Sequence, residues 1–325
     1  MGGVAFSLLA AFFFASYLVL FRRVVVRTGE YTTAMLLMLP VGILYYLALM
    51  PAFGGFAPFA SIGPGVAALF ALAGIINMIG GRGLNFHSIR LLGGNRAAPL
   101  TNTSPLYAGV LGILLLDEPF SVPLVLGIVF IVAGATLISQ TGSSNPGSMV
   151  ATGYAGDSGL RLEAVVGRSE GGNPASVAAK VSFWEGILAG LGAGLCFAIG
   201  AVLVRYLLHD KFNHPLQGNI ISYAAALATL AWMPFAREHR ARLARLKRGD
   251  LALILVGGLI VSSAGFSQYL ALNVAGAGLV SSIQATYALF LLFLSWFLNR
   301  RLEVFSMEVV LGITATVLGT VLVSL

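Results

Sequence analysis

Charge is what this sequence has least of. Lys, Arg, Asp and Glu make up 10% of its 325 residues, where a water-soluble domain carries about 25%. Hydrophobic residues make up 58%, and mean hydropathy is +0.92. The shortage excludes an ordinary soluble globule and points to an all-α integral membrane protein. Cysteine is nearly missing as well. Cys196 stands alone in an apolar stretch, which excludes an intrachain disulfide and a cysteine-built metal site. The four histidines, His87, His209, His214 and His239, fall in separate segments without metal-ligand spacing. No Ser-His-Asp or Cys-His set can be assembled, so a membrane enzyme or lipid-handling scaffold is the weaker reading, and no cofactor or metal is expected. A net charge of +7 raises the question of nucleic acid. The basic residues flank apolar segments, however, where they suit anionic lipid headgroups, and no nucleic-acid partner is expected.

What is abundant is uninterrupted apolar sequence. Roughly 20 apolar residues cross a bilayer as a helix, and ten windows qualify: 3–21, 32–51, 65–86, 94–116, 122–139, 185–208, 216–235, 251–273, 277–299 and 306–324. The first lacks a basic leading segment and is followed by Arg22 and Arg23, so it reads as a span rather than a cleaved leader. Between the fifth and sixth windows lies GSSNPGSMVATGYAGDSGLRLEAVVGRSEGGNP, too rich in Gly, Ser and charge to bury a core; it reads as a flexible linker.

The linker divides a duplication. A shift of 185 lays LLLDEPFSVPLVLGIVFIVAGATL over NRRLEVFSMEVVLGITATVLGTVL, pairing Glu118 with Glu303, Gly127 with Gly312 and Gly134 with Gly319. A shift of 183 lays FASYLVLFR over FAIGAVLVR, pairing Phe14 with Phe197 and Arg22 with Arg205. The chain therefore divides into a first repeat at 1–140, a linker at 141–182 and a second repeat at 183–325. Five spans is an odd number, so the second repeat enters the membrane in the opposite sense. RRVVVR after the first span and REHRARLARLKRG after the seventh fall on one side of this layout. Of the 19 Lys and Arg, only Arg205 and Lys211 belong clearly to even-numbered loops, which predicts cytoplasmic odd loops and external termini.

The five-plus-five layout and the pattern in LTNTSPLYAGVLGILLLDEPFSVPLVLGIVFIVAG, a Pro-containing helix, an acidic turn and a helix with two glycines, resemble the EamA family of the drug/metabolite transporter superfamily. The resemblance covers nearly the whole chain outside the linker. It implies a secondary transporter or permease in a plasma membrane, that of bacteria above all, carrying a small-molecule substrate; a multidrug exporter is the runner-up. It also implies cytoplasmic termini, against the charge count. Phe290 stands where the 185 shift would repeat Pro105, and Asn299, Arg300 and Arg301 precede Glu303, so the second half departs from the pattern.

Several polar residues interrupt the apolar runs. Glu118 and Glu303 sit in turns before Ser121 and Ser306, and read as helix-start architecture. Arg82 lies deep in the third span, on one face with Phe86 and Arg90 and beside Asn85. It either snorkels to headgroups or faces a cavity, and in the second case favours an anionic substrate. Within PLTNTSPLYAG, Thr101 and Ser104 read as interhelical glue, and Pro99 and Pro105 as helix looseners. The 185 shift lays Asn102 over Tyr287 and Pro99 over Gln284. Asn102, Gln284 and Tyr287, extended by Thr103 and Ser281, are accordingly expected to line a central substrate site. The first span of each half contains no acid within the membrane, which weighs against a carboxylate proton relay and leaves facilitated exchange or coupling through a group such as His87.

Overall fold

The computed structural model describes residues 2–28, 31–92, 97, 100–118, 121–141, 174–232, 248–298 and 307–324. Among them every regular element is a helix. The first half comprises α1 (Gly2–Thr28), α2 (Tyr31–Leu49), the short α3 (Ala57–Ser61), α4 (Pro64–Gly74), α5 (Arg82–Leu92), α6 (Ser104–Leu116) and α7 (Val122–Thr141). The second comprises α8 (Pro174–Tyr206), α9 (Pro215–Leu230), α10 (Arg248–Val274), α11 (Ala277–Gln284), α12 (Tyr287–Leu298) and α13 (Met307–Ser324). Each of the ten apolar windows overlaps one or more of these helices within the described residues. Five stretches among the described residues are long and apolar enough to cross a membrane.

Local chemistry sets several of the ends. Pro64 and Pro215 open α4 and α9, where a missing N–H costs nothing and the fixed φ suits the first turn. α6 ends on Asp117 in the left-handed conformation (φ 51°), its N–H returning to the Gly112 carbonyl. α4 and α5 are joined without a break by a π-helical turn, Ile75–Gly81. A second π turn, Leu207–Lys211, finishes α8. α6 begins after a tight turn at Asn102–Thr103, and α12 after one at Ala285–Thr286.

The packing between halves comes in reciprocal pairs. α1 lies on α10 as α8 lies on α5; α1 meets α12 as α8 meets α6; α2 meets α10 as α9 meets α4. Two further contacts, α2 with α9 and α7 with α13, join equivalent helices to each other, and α6 also meets α11. Glycines mark the close approaches. A Cβ on Gly3 would strike Ala275 and approach Val274, while one on Gly186 would strike Leu92 and approach Leu91, every residue displaced by 183. Gly134 packs on Gly312 and Thr316, and Gly319 on Gly127 and Ile131, displaced by 185.

The turns before α6 and α12 correct one correspondence. Thr103 donates its hydroxyl to the Leu100 carbonyl (2.6 Å), and Thr286 does the same to Ile283 (2.6 Å). The two turns therefore match at 183, not 185. Asn102 corresponds to Ala285, and Pro105 to Ala288 rather than Phe290. The two extra residues of the second half enter after this turn, which an ungapped shift cannot reveal.

Candidate functional site

Asn102 is 4% exposed, in the turn that opens α6. Its Oδ1 accepts a hydrogen bond from the Tyr287 hydroxyl at the start of α12 (3.2 Å). Two residues that do not correspond in the repeat thus meet across the halves. The ring of Tyr287 stands edge-on to Phe14 of α1, centroids 5.3 Å apart. Phe14 contacts Tyr17 one turn further along α1 (5.9 Å). Tyr17 is buried within electrostatic reach of Arg82. Arg82 is half-buried at the start of α5, one turn from Asn85. The Thr101 hydroxyl donates to Asn85 Oδ1 (2.9 Å), and Thr101 adjoins Asn102. Four contacts (Asn85–Thr101, Asn102–Tyr287, Tyr287–Phe14 and Phe14–Tyr17), the chain neighbours Arg82/Asn85 and Thr101/Asn102, and the electrostatic reach of Arg82 to Tyr17 together trace a circuit: Arg82, Asn85, Thr101, Asn102, Tyr287, Phe14, Tyr17 and back to Arg82.

The circuit joins three of the expected site residues, Arg82, Asn102 and Tyr287. The other three stand beside it. Ser281 is buried on α11 and Gln284 half-buried at its end, six and three residues before Tyr287. Thr103 spends its hydroxyl on the Leu100 carbonyl and rests against α8, where a Cβ on Gly194 would come within 3.0 Å of it. Phe14 and Tyr17 are the members that sequence reading missed. Their signal was a tyrosine three residues from a phenylalanine inside the first span, which reads equally well as ordinary apolar packing. Pro99 and the side chain of Arg90 lie outside what the structure describes.

One buried polar atom of the circuit is unmet. Asn102 Nδ2, a hydrogen-bond donor, has no partner. Asn219 Oδ1 on α9 is the other such buried side-chain atom among the described residues. Asn219 belongs to a neighbouring tyrosine cluster: its Nδ2 donates to the Tyr46 hydroxyl (3.3 Å), which donates to the Ser262 carbonyl (2.9 Å). The ring of Tyr46 is edge-on to Tyr223 (5.0 Å).

The acidic turn departs from expectation. Ser121 accepts from the Leu124 N–H (3.2 Å) and caps α7 as expected. Glu118 reaches across to the other half instead. Its Oε1 accepts from the Ala277 N–H at the start of α11 (2.8 Å) and lies 3.9 Å from Arg205 Nε. Arg205 donates to the Leu272 and Asn273 carbonyls, both at 3.0 Å, and so satisfies the end of α10. The carboxylate sits at the positive end of α11, where the helix dipole favours it. A cavity of about 310 Å³ opens here, lined in part by Asp117, Glu118, Arg205 and Asp210. Glu303 and Ser306 lie outside the described residues. His87 forms a 2.9 Å pair with Glu185 of α8, both about half exposed.

Comparison with known proteins agrees with this architecture. A family model described as the EamA-like transporter family matches residues 1–140 and 184–325. No curated protein matches the chain. A solved crystal structure aligns over 97% of this chain and 94% of its own, with a TM-score of 0.68 at 15% identity, a likeness of fold.

Proposed function

Because the chain belongs to the EamA-like transporter family and is a multi-pass membrane protein, we propose that it is a secondary transporter moving a small polar or amphipathic metabolite by alternating access. In this reading ten spans form two inverted five-helix repeats, 1–140 and 183–325, joined by the segment 141–182, of which residues 174–182 are not flexible linker as expected but already the first turns of α8. The reciprocal helix contacts support the inversion, since a two-fold axis in the membrane plane would pair helices in just this way. Such an axis lets each half repeat the other's movement and open the centre to alternate sides.

The observation that carries the proposal is the circuit through Arg82, Asn102 and Tyr287. It draws polar groups from α1, α5, the start of α6 and α12, elements of both halves, into an otherwise apolar bundle. Polar and charged groups at membrane depth mark solute pathways. Ser281 and Gln284 extend this lining, and Thr103 shapes the turn that presents Asn102. The tethers at Glu118 and Arg205 are architectural.

Counterflow tests the function. Purified protein in sealed liposomes preloaded with unlabelled metabolite pools should accelerate entry of the matching labelled metabolite, recovered intact. A solute recovered chemically altered, or no acceleration across the pools, would remove the transporter reading. Reporter fusions test the layout: Met1 and Leu325 should fall on the same side of the membrane, and opposite sides would rule out ten spans.

A further inference from the structure

The seven residues of the circuit contain one formal charge and one unmet hydrogen-bonding group. The charge is Arg82, whose guanidinium stays protonated at any physiological pH. The unmet group is Asn102 Nδ2, a donor on a residue 4% exposed. Native proteins give nearly all such buried donors a partner. Tyr287 holds the opposite end of the amide by donating to Oδ1. Phe14, Tyr17 and Tyr287 supply aromatic surface to the same circuit. No member of it is acidic.

We propose that the circuit binds an organic anion, a carboxylate carried on an apolar body. The carboxylate accepts from Arg82 and from Asn102 Nδ2, and the body lies against the rings of Phe14, Tyr17 and Tyr287. This deepens the transporter reading and rests on it for the site's location at the centre of the transport path. A cationic head would meet the positive charge of Arg82, and a neutral one would forgo the charge-assisted hydrogen bonds that a carboxylate makes. The repeat contributes no second anion site. At the 183 displacement Arg82 corresponds to Gly265 and Asn102 to Ala285, neither of which offers a side-chain donor.

The test uses the full-length protein in lipid nanodiscs and three probes with one body and different heads: phenylacetate, phenylacetamide and phenethylamine. Phenylacetate should raise the melting temperature, with an apparent affinity about tenfold or more above that of the amide, and the amine should give no shift. Asn102→Asp keeps the shape and still accepts from Tyr287 but replaces the inward donor with an acceptor; it should abolish the phenylacetate shift. Arg82→Gln should erase the preference for the anion, and Arg82→Lys should restore part of it. Equal shifts from all three probes, a preference for the amine, no shift from any, or an Asn102→Asp response equal to that of the unaltered protein would each overturn the proposal. Counterflow keeps the two readings apart. Phenylacetate that binds with this dependence while no solute undergoes counterflow leaves the anion site standing and removes the transporter. Counterflow of neutral or cationic solutes without phenylacetate binding does the reverse.

Discussion

The two halves are most alike where backbone meets backbone. Gly3 and Gly186 take up equivalent contacts on α10 and α5, and Gly134 and Gly319 make equivalent contacts between α7 and α13. They differ most at the circuit. Phe14 is repeated as Phe197, but Tyr17, Arg82 and Asn102 correspond to Gly200, Gly265 and Ala285. What the duplication preserves is the frame, because two bodies that move against each other need matching surfaces. What it does not preserve is the circuit, which fits the proposed binding role: a single small ligand is itself asymmetric and needs only one set of partners.

This contrast can be broken most severely at the shared frame. Gly134→Leu and Gly319→Leu should be equally damaging, each costing about 3 kcal/mol by overpacking a backbone contact. Folded yield and melting temperature in detergent should fall together for both, and tolerance of one alone would show that the α7–α13 packing is not reciprocal. Next in size is the tether between halves. Arg205→Leu removes the cation near a carboxylate that is 12% exposed, and should lower stability by about 2 kcal/mol, less than for a fully buried pair. Glu118→Gln, which leaves an amide oxygen to accept from Ala277, should cost less. Equal losses would mean that the ion pair accounts for both, and that the bonds from Arg205 to the Leu272 and Asn273 carbonyls contribute nothing.

Substitutions in the lining should act on transport rather than on folding. Asn102→Ala should lower uptake about tenfold and, because it also removes the acceptor of the Tyr287 hydroxyl, should cost only about 1 kcal/mol of stability. Gln284→Leu, at the edge of the circuit, should reduce uptake about threefold, the scale of one interhelical bond in a membrane. A drop in melting temperature without loss of uptake in either variant would return these residues to the frame. Smallest is Glu185→Gln. Its half-exposed pair with His87 is worth less than about 1 kcal/mol, and both stability and uptake should stay within measurement error; a clear loss of uptake would bring His87 back as a coupling group.

The sequence made the frame and the polar residues of the circuit legible for one reason: both stand out against an apolar background. Paired glycines survive an ungapped shift, and Arg82, Asn102 and Tyr287 are conspicuous in runs of Leu, Ile and Ala. Phe14 and Tyr17 were not legible, because an aromatic residue in an apolar helix looks the same whether it packs or lines a site. Nor was the reach of Glu118. Capping rules assign an acidic residue to the helix that follows it, and α11 is distant in sequence but adjacent in space. The two-residue slip between Thr103 and Glu118 was hidden for a third reason: a fixed displacement keeps matching helices on both sides of a small insertion.

The π-helical turn before Arg82 has a consequence for how this lining tolerates insertion and deletion. Such turns hold one more residue than an α-helical turn, and one residue is about 100° of rotation about the helix axis. The π turn takes up that residue in place, whereas the same residue inserted into a regular α-helical turn would swing the start of α5 against α4 by that angle. Arg82 would leave Tyr17, and Asn85 would leave Thr101, although neither had been mutated. The direction in which the charge points is therefore encoded in the length of the chain before it as much as in the identity of the residue.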